Sequence, residues 1–194
     1  MFAIRIYYQR KIRSERDVTT ETGNRWHLLP GAFAALITFF FGFAYILFPS
    51  ALPWSYFNIP DWLRWVGFAM LVSGIGLLWS SHHHLGKSFH SLVVQKTNQE
   101  FVKTGPYHYV RHPIYTAYVL NYVGGGLLAA SWVLTFLPAL LFMLMISLRI
   151  GEEEIAMEDQ FGQCYLEYMN KTPRFLPWAP IPNIRSADHW ADKN

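Results

Sequence analysis

The sequence predicts an all-α fold: a polytopic transmembrane helical bundle of at least four spans, with room for a fifth, under a cytoplasmic cap. Three observations carry that expectation. Charged residues make up only 15% of the 194-residue chain and hydrophobic types 52%, whereas a soluble domain averages about 25% charged. Long stretches hold no charge at all, and the basic residues lie in blocks between those stretches. The 8 Trp, 11 Tyr and 15 Phe are the aromatic load of a chain with extensive membrane interfaces.

The elements follow in order. Residues 1–25 carry six Lys or Arg, and this charged run continues too long before the first apolar stretch to read as a cleaved signal peptide. Within it, residues 4–16 have an irregular amphipathic pattern and are the place for a fifth membrane element. Residues 28–48 are 21 positions without a charge, close to the roughly 20 that a helix needs to cross a bilayer core. Pro49, Pro53, Asn58 and Pro60 then make a connection, because proline removes an amide donor and clashes with the preceding turn. Residues 62–81 form the second span. Arg64 near its start can snorkel to headgroups beside Trp62 and Trp65.

Residues 113–148 are 36 positions without Asp, Glu, Lys or Arg, about 54 Å as one helix and too long for a single crossing. A helical hairpin turning at Ala130, Ser131 and Trp132 fits that length. Gly124, Gly125 and Gly126 allow close packing in its first half, and Pro138 is a bend point in its second. A polar helix is expected from Glu152 to about Met169, with Ile155, Phe161, Leu166 and Met169 available for packing. Pro173, Pro177, Pro180 and Pro182 favour an irregular tail.

Charge sets the expected orientation. Six basic residues precede the first span, four lie between the second span and the hairpin, five follow from Arg149 on, and the hairpin turn has none. These blocks alternate across the membrane, which places both termini and the central loop in the cytoplasm. The expectation is one integral membrane domain over residues 1–194, in the cell membrane, with its cap built from the polar segments 82–112 and 149–194. The single Cys164 excludes an internal disulfide and a cysteine-based metal cluster. A formal charge of +3, distributed between apolar spans, points to membrane lipids rather than nucleic acid as the polyanionic partner. His82, His83, His84 and His90 do not predict a metal site, since consecutive helical residues point in different directions and no acidic ligand pattern completes the set.

Two polar blocks can carry chemistry. In residues 103–115, Gly105 and Pro106 favour a turn, Tyr107 offers a flat face and a hydroxyl, and Arg111 and His112 stand just before Pro113 at the mouth of a helix. Such a set can hold a small anionic or aromatic ligand, and it equally suits a membrane boundary. Downstream, Arg149 lies four residues before Glu153 and three before Glu152, so either acid can share its helix face. That pair reads as an anchoring ion pair or as a device that orients a carboxylate. Arg174 is a further cation of the cap.

The blocks Gly105-Pro-Tyr-His-Tyr-Val-Arg-His-Pro-Ile-Tyr115 and Arg149 followed by Glu152-Glu-Glu-Ile-Ala-Met-Glu-Asp-Gln-Phe-Gly-Gln-Cys-Tyr-Leu-Glu-Tyr168 resemble the isoprenylcysteine carboxyl methyltransferase family of integral membrane enzymes, in particular a short prokaryotic homologue. The likeness extends over residues 92–177. It implies methyl transfer from S-adenosylmethionine to a carboxylate of a hydrophobic or lipid-linked small molecule. It implies a cofactor cavity lined by Gln95, Gln99, Glu100, Phe101, Val102, Tyr107, His112, Pro113, Ile114 and Tyr115, with Arg149 and Glu153 as the catalytic, substrate-side pair. The link from Gln95 to Gly105 is shorter here than in longer members, and the extra N-terminal spans of eukaryotic members have no counterpart in this sequence.

Carboxylates are ionised near neutral pH, so the expected role of Arg149 is orientation of the acceptor rather than proton removal. An amine acceptor, as in phospholipid methyltransferases, would instead need a base, with Glu153 or His108 as candidates. A nicotinamide-dependent membrane reductase and a noncatalytic scaffold or transporter are the remaining alternatives. The sequence names no protein partner.

Overall fold

In the computed structural model, residues 29–48, 50, 52–85 and 102–180 are described. Among them the regular structure is helical, apart from one isolated bridge between Tyr56 and Ser131. Helix α1 is Leu29–Leu47, α2 Asp61–Leu85, α3 Pro113–Leu128, α4 Trp132–Phe161 and α5 Gln163–Met169, with short 3-10 turns at Pro53–Ser55 and Gly105–His108. Helices α1, α2 and α4 are long and apolar enough to cross a membrane. Helix α3 has 16 residues, about 24 Å, and is the short arm of the expected hairpin. The segment 4–16, where a fifth element was expected, lies outside the described residues.

The hairpin turns where its length requires. Helix α3 ends at Leu128, and Ser131 caps α4 by accepting a hydrogen bond from the Leu134 amide. Thr135 adds a bond from its hydroxyl to the Ser131 carbonyl at 2.8 Å. Pro138 is accommodated inside α4 rather than ending it. On the same side of the bundle, the Trp132 indole donates to the Trp54 carbonyl at 3.0 Å. Arg64 also has a protein partner: its Nε donates to the Leu128 carbonyl at 3.2 Å, so it caps α3 as well as standing at the membrane boundary.

Packing orders the helices differently from the sequence. Helix α2 packs along α3, α3 along α4, and α4 along α1. Helices α2 and α3 approach closely: a Cβ on Gly67 would lie 2.8 Å from the Gly124 carbonyl, and one on Gly124 would lie 2.7 Å from the Gly67 carbonyl. Two glycines therefore set this separation, as small residues do where lipid provides no hydrophobic drive for helix association. The buried core lies between α1, α3 and α4, built from Ala34, Tyr122, Ala139, Phe142, Met145, Ile146 and Ile150. Phe39, Phe40, Phe43, Trp65, Phe136 and Leu140 stay exposed, as lipid-facing side chains do.

The polar ends depart from the sequence expectation in two places. Helix α2 continues through His82, His83 and His84 to Leu85, because each imidazole finds a local partner. The Nδ1–H groups of His82 and His84 donate to the carbonyls of Leu78 and Ser80 at 2.8 and 2.9 Å, and His83 stacks on Trp79 at 5.5 Å. The polar helix expected over residues 152–169 is instead the continuation of the membrane helix α4, broken at Gly162. That residue has φ of +54°, a conformation that costs a side-chain-bearing residue about 1 kcal/mol or more, and α5 starts directly after it.

Candidate functional site

Beyond Leu148 the apolar part of α4 gives way to Arg149, and the helix projects from the membrane as a polar rod carrying Glu152, Glu153 and Glu154. Glu152 is exposed. Glu153 and Glu154 both face the start of α3, where Pro113 at the first helical position presets the backbone. Two ion clusters result.

The first forms at the membrane edge. Arg149 Nε lies 2.5 Å from Glu153 Oε1, and the Tyr115 hydroxyl donates to the same oxygen at 2.6 Å. His112 stacks on the Tyr115 ring at 5.6 Å with 13° between the planes, and its Nδ1 is 3.9 Å from Glu153 Oε2. Of the two acids that sequence spacing allowed as partners of Arg149, the structure pairs it with Glu153.

The second forms deeper in the cap. Arg174 donates to both oxygens of Glu154, through Nε at 3.1 and 3.2 Å and through Nη2 at 2.6 Å. The His112 Nε2–H donates to Glu154 Oε1 at 3.3 Å. Arg111 Nη1 stands 3.4 Å from the same oxygen, near enough for Coulomb attraction but not aligned as a hydrogen bond. Burial alone would raise the Glu154 carboxyl; the His112 and Arg174 hydrogen bonds and the Arg111 charge outweigh it and hold the group at about 2. Burial lowers Arg111, opposed by Glu154, while the hydrogen bond to Glu154 raises Arg174.

Backbone bonds fasten the tail over this cluster. The amides of Arg111 and His112 donate to the carbonyls of Pro173 and Arg174 at 2.8 and 2.9 Å, and the Thr116 hydroxyl donates to Phe175 at 2.9 Å. The 3-10 turn Gly105–His108 is held from α5, where the Tyr168 hydroxyl donates to the Tyr107 carbonyl at 2.5 Å. Burial pushes the phenols of Tyr107, Tyr165 and Tyr168 up, so all three remain neutral near pH 7. The Tyr107 hydroxyl and the Arg111 Nε, Nη1 and Nη2 are buried without a hydrogen-bond partner among the described residues. An unsatisfied buried donor costs about 1–3 kcal/mol, and more when charged.

Of the residues expected to line a cofactor cavity, Gln95, Gln99, Glu100 and Phe101 lie outside the described residues. Tyr107, His112, Pro113, Ile114 and Tyr115 sit together at the mouth of α3, and Val102 is half-buried on the segment leading to it. His108, a candidate base for an amine acceptor, is exposed and packs edge-on against Tyr109 at 5.2 Å. The sequence pattern assigned Glu154 no role and placed Arg111 in the ligand-holding set at the mouth of α3 without pairing it to Glu154. Both were visible as charges beside a predicted helix terminus, but the separation of 42 positions between His112 and Glu154 hides the pairing from any local pattern.

A family model described as the isoprenylcysteine carboxyl methyltransferase (ICMT) family matches residues 65–159. The protein-S-isoprenylcysteine O-methyltransferase of Schizosaccharomyces pombe is 35% identical over 97 residues, which is 49% of this chain and 41% of that protein. The cobalt-zinc-cadmium resistance protein CzcN of Cupriavidus metallidurans is 32% identical over 117 residues, 59% of this chain and 54% of that one. The chain thus spans about half the length of these relatives. A solved structure of the eukaryotic intramembrane Ras methyltransferase ICMT shares the fold, with a TM-score of 0.57 and 20% identity over 83% of this chain and 55% of that one.

Proposed function

Since this chain is an isoprenylcysteine carboxyl methyltransferase-like integral membrane protein, we propose that it transfers a methyl group from S-adenosylmethionine to the carboxylate of a hydrophobic, isoprenyl-cysteine-like acceptor. The cap faces the cytoplasm in this reading, following the alternation of basic blocks. The observation that carries it is the Arg149–Glu153 pair, held at the level where α4 leaves its apolar stretch and beside the aromatic mouth of α3.

The side chains present fit the cofactor. Its amino-acid end needs a cation and a hydrogen-bond donor, and the buried Arg111 guanidinium and Tyr107 hydroxyl have donors that no described residue engages. Its base needs a flat surface, and the His112–Tyr115 stack provides one. Val102, Tyr107, His112, Pro113, Ile114 and Tyr115 would hold it, with Gln95, Gln99, Glu100 and Phe101 completing the wall. When bound, it supplies an electrophilic methyl on a sulfonium.

The protein's own contribution is placement. Arg149 presents a guanidinium to the acceptor carboxylate where the lipid-facing surface meets the cap, so the acceptor's apolar chain can stay in the membrane while its charged end is paired. Glu153 fixes the guanidinium from the opposite side. The acceptor oxygen is already an anion, so no side chain has to remove a proton and orientation is the main catalytic factor.

Calorimetry with S-adenosylhomocysteine on the purified chain in detergent, together with methyl transfer to a farnesylated cysteine, tests the proposal. Saturable binding and esterification are expected. Binding with transfer only to amine lipids would overturn the carboxylate acceptor; absence of binding by folded protein would overturn the methyltransferase reading.

A further inference from the structure

Tyr115 belongs by resemblance to the cofactor-lining group, yet its hydroxyl reaches the acceptor side. It is the third residue of α3, and its hydroxyl donates to Glu153 Oε1 at 2.6 Å, the same oxygen that lies 2.5 Å from Arg149 Nε. One carboxylate oxygen is thus shared between a phenol from α3 and a guanidinium from α4. The ring has little freedom to move that hydroxyl, because it stacks on His112 and meets the edge of Phe142 at 6.1 Å and 73°.

Magnitudes show why this matters. An i,i+4 pair on a helix, with the Arg149 side chain 26% exposed, contributes about 0.3–0.5 kcal/mol on its own. That is below thermal energy, so the pair alone would not fix a guanidinium in one orientation. A hydrogen bond to a charged group contributes about 1.5–3 kcal/mol, and this one comes from a ring already locked by packing on a second helix. Through Nε the interaction engages one of the five N–H donors of Arg149. We infer that Tyr115 is a positioning residue for acceptor binding: through Glu153, it holds Arg149 in the orientation that receives a carboxylate.

The inference rests on the methyltransferase reading. It also accounts for the juxtaposition of the two polar blocks, since the hydroxyl of one sets the cation of the other across 38 residues of sequence.

The test is Tyr115→Phe in the full chain, which retains the ring and removes the hydroxyl. Acceptor kcat/KM should fall roughly tenfold to a hundredfold, while the calorimetric Kd for S-adenosylhomocysteine stays within about twofold of the parent. In an Arg149→Ala background, Tyr115→Phe should add no further loss, as expected of a residue acting through Arg149. A Kd weakened by the same factor as kcat/KM would return Tyr115 to the cofactor site alone, and additive losses in the double variant would also overturn the inference. Should Tyr115→Phe fold poorly, Glu153→Ala, which spares the His112–Tyr115 stack, must show the same separation of acceptor kinetics from cofactor Kd or the inference fails. A parent protein that neither binds the cofactor product nor methylates would overturn the underlying reading instead.

Discussion

Glu153 and Glu154 are adjacent on α4, yet they belong to two different regions. Glu153 stands where α4 leaves its apolar stretch, between Tyr115 and a partly buried Arg149. Glu154 lies in the cap against Arg174, His112 and the fully buried Arg111. Neighbouring helical side chains diverge by about 100°, so one turn of α4 serves both an open cluster and a closed one. In the closed cluster a carboxylate compensates the enclosed Arg111, a cation that water cannot reach, which is a requirement of folding. In the open cluster it orients a cation that a ligand can reach, which is a requirement of binding.

Removing each carboxylate or its partner separates those roles. The largest effect is expected for Glu154→Gln, which leaves Arg111 buried without its counter-charge. Breaking a buried pair costs about 3–5 kcal/mol, and a thermal midpoint in detergent lower by roughly 6–20 °C is the expected readout. Because the folded Glu154 carboxyl is held at about 2, below its ordinary value near 4.3, its contribution is present above that ordinary value and disappears as pH falls through about 2. The difference in midpoint between parent and Glu154→Gln should therefore narrow below about pH 4. A constant gap from pH 7 to pH 3 would remove the carboxylate from the explanation.

Arg149→Ala should show the opposite profile. Acceptor kcat/KM falls by about two decades, the scale for losing a charge-assisted contact to a carboxylate, with little change in midpoint or in the Kd for S-adenosylhomocysteine. Equal damage to stability and to both ligands would collapse the distinction between the clusters. The smallest effect is expected for Arg174→Gln. Its side chain is 40% exposed, so solvent screening limits the pair to about 1 kcal/mol, a midpoint shift of roughly 2–4 °C. A larger loss would mean that the tail segment over Arg111 and His112 depends on this ion pair as well as on its backbone bonds.

Legibility from sequence follows the range of the interactions. The membrane helices were readable because a charge in hydrocarbon is expensive wherever it occurs, so apolar length alone marks a span. Ala130 and Ser131 were readable as a turn because 36 uncharged residues exceed one bilayer crossing. The break at Gly162 was not, since nothing in the polar run around it distinguishes a tolerated helical glycine from one that takes φ of +54°. Arg149 and Glu153 were readable as a pair because helical spacing places them on one face.

The sequence alone determined what is local: which segments enter the membrane, the hairpin between residues 113 and 148, and the charged blocks at its two ends. Only the tertiary structure decided that Tyr115 meets Glu153, that Glu154 rather than Glu152 enters the cap, and that Arg111 is enclosed there. The physical reason is that hydropathy acts on each segment by itself, whereas these pairings depend on how α3 approaches α4. That approach is set by the packing of Tyr115, Tyr118 and Tyr122 of α3 around Phe142 of α4, and no short window of sequence contains it.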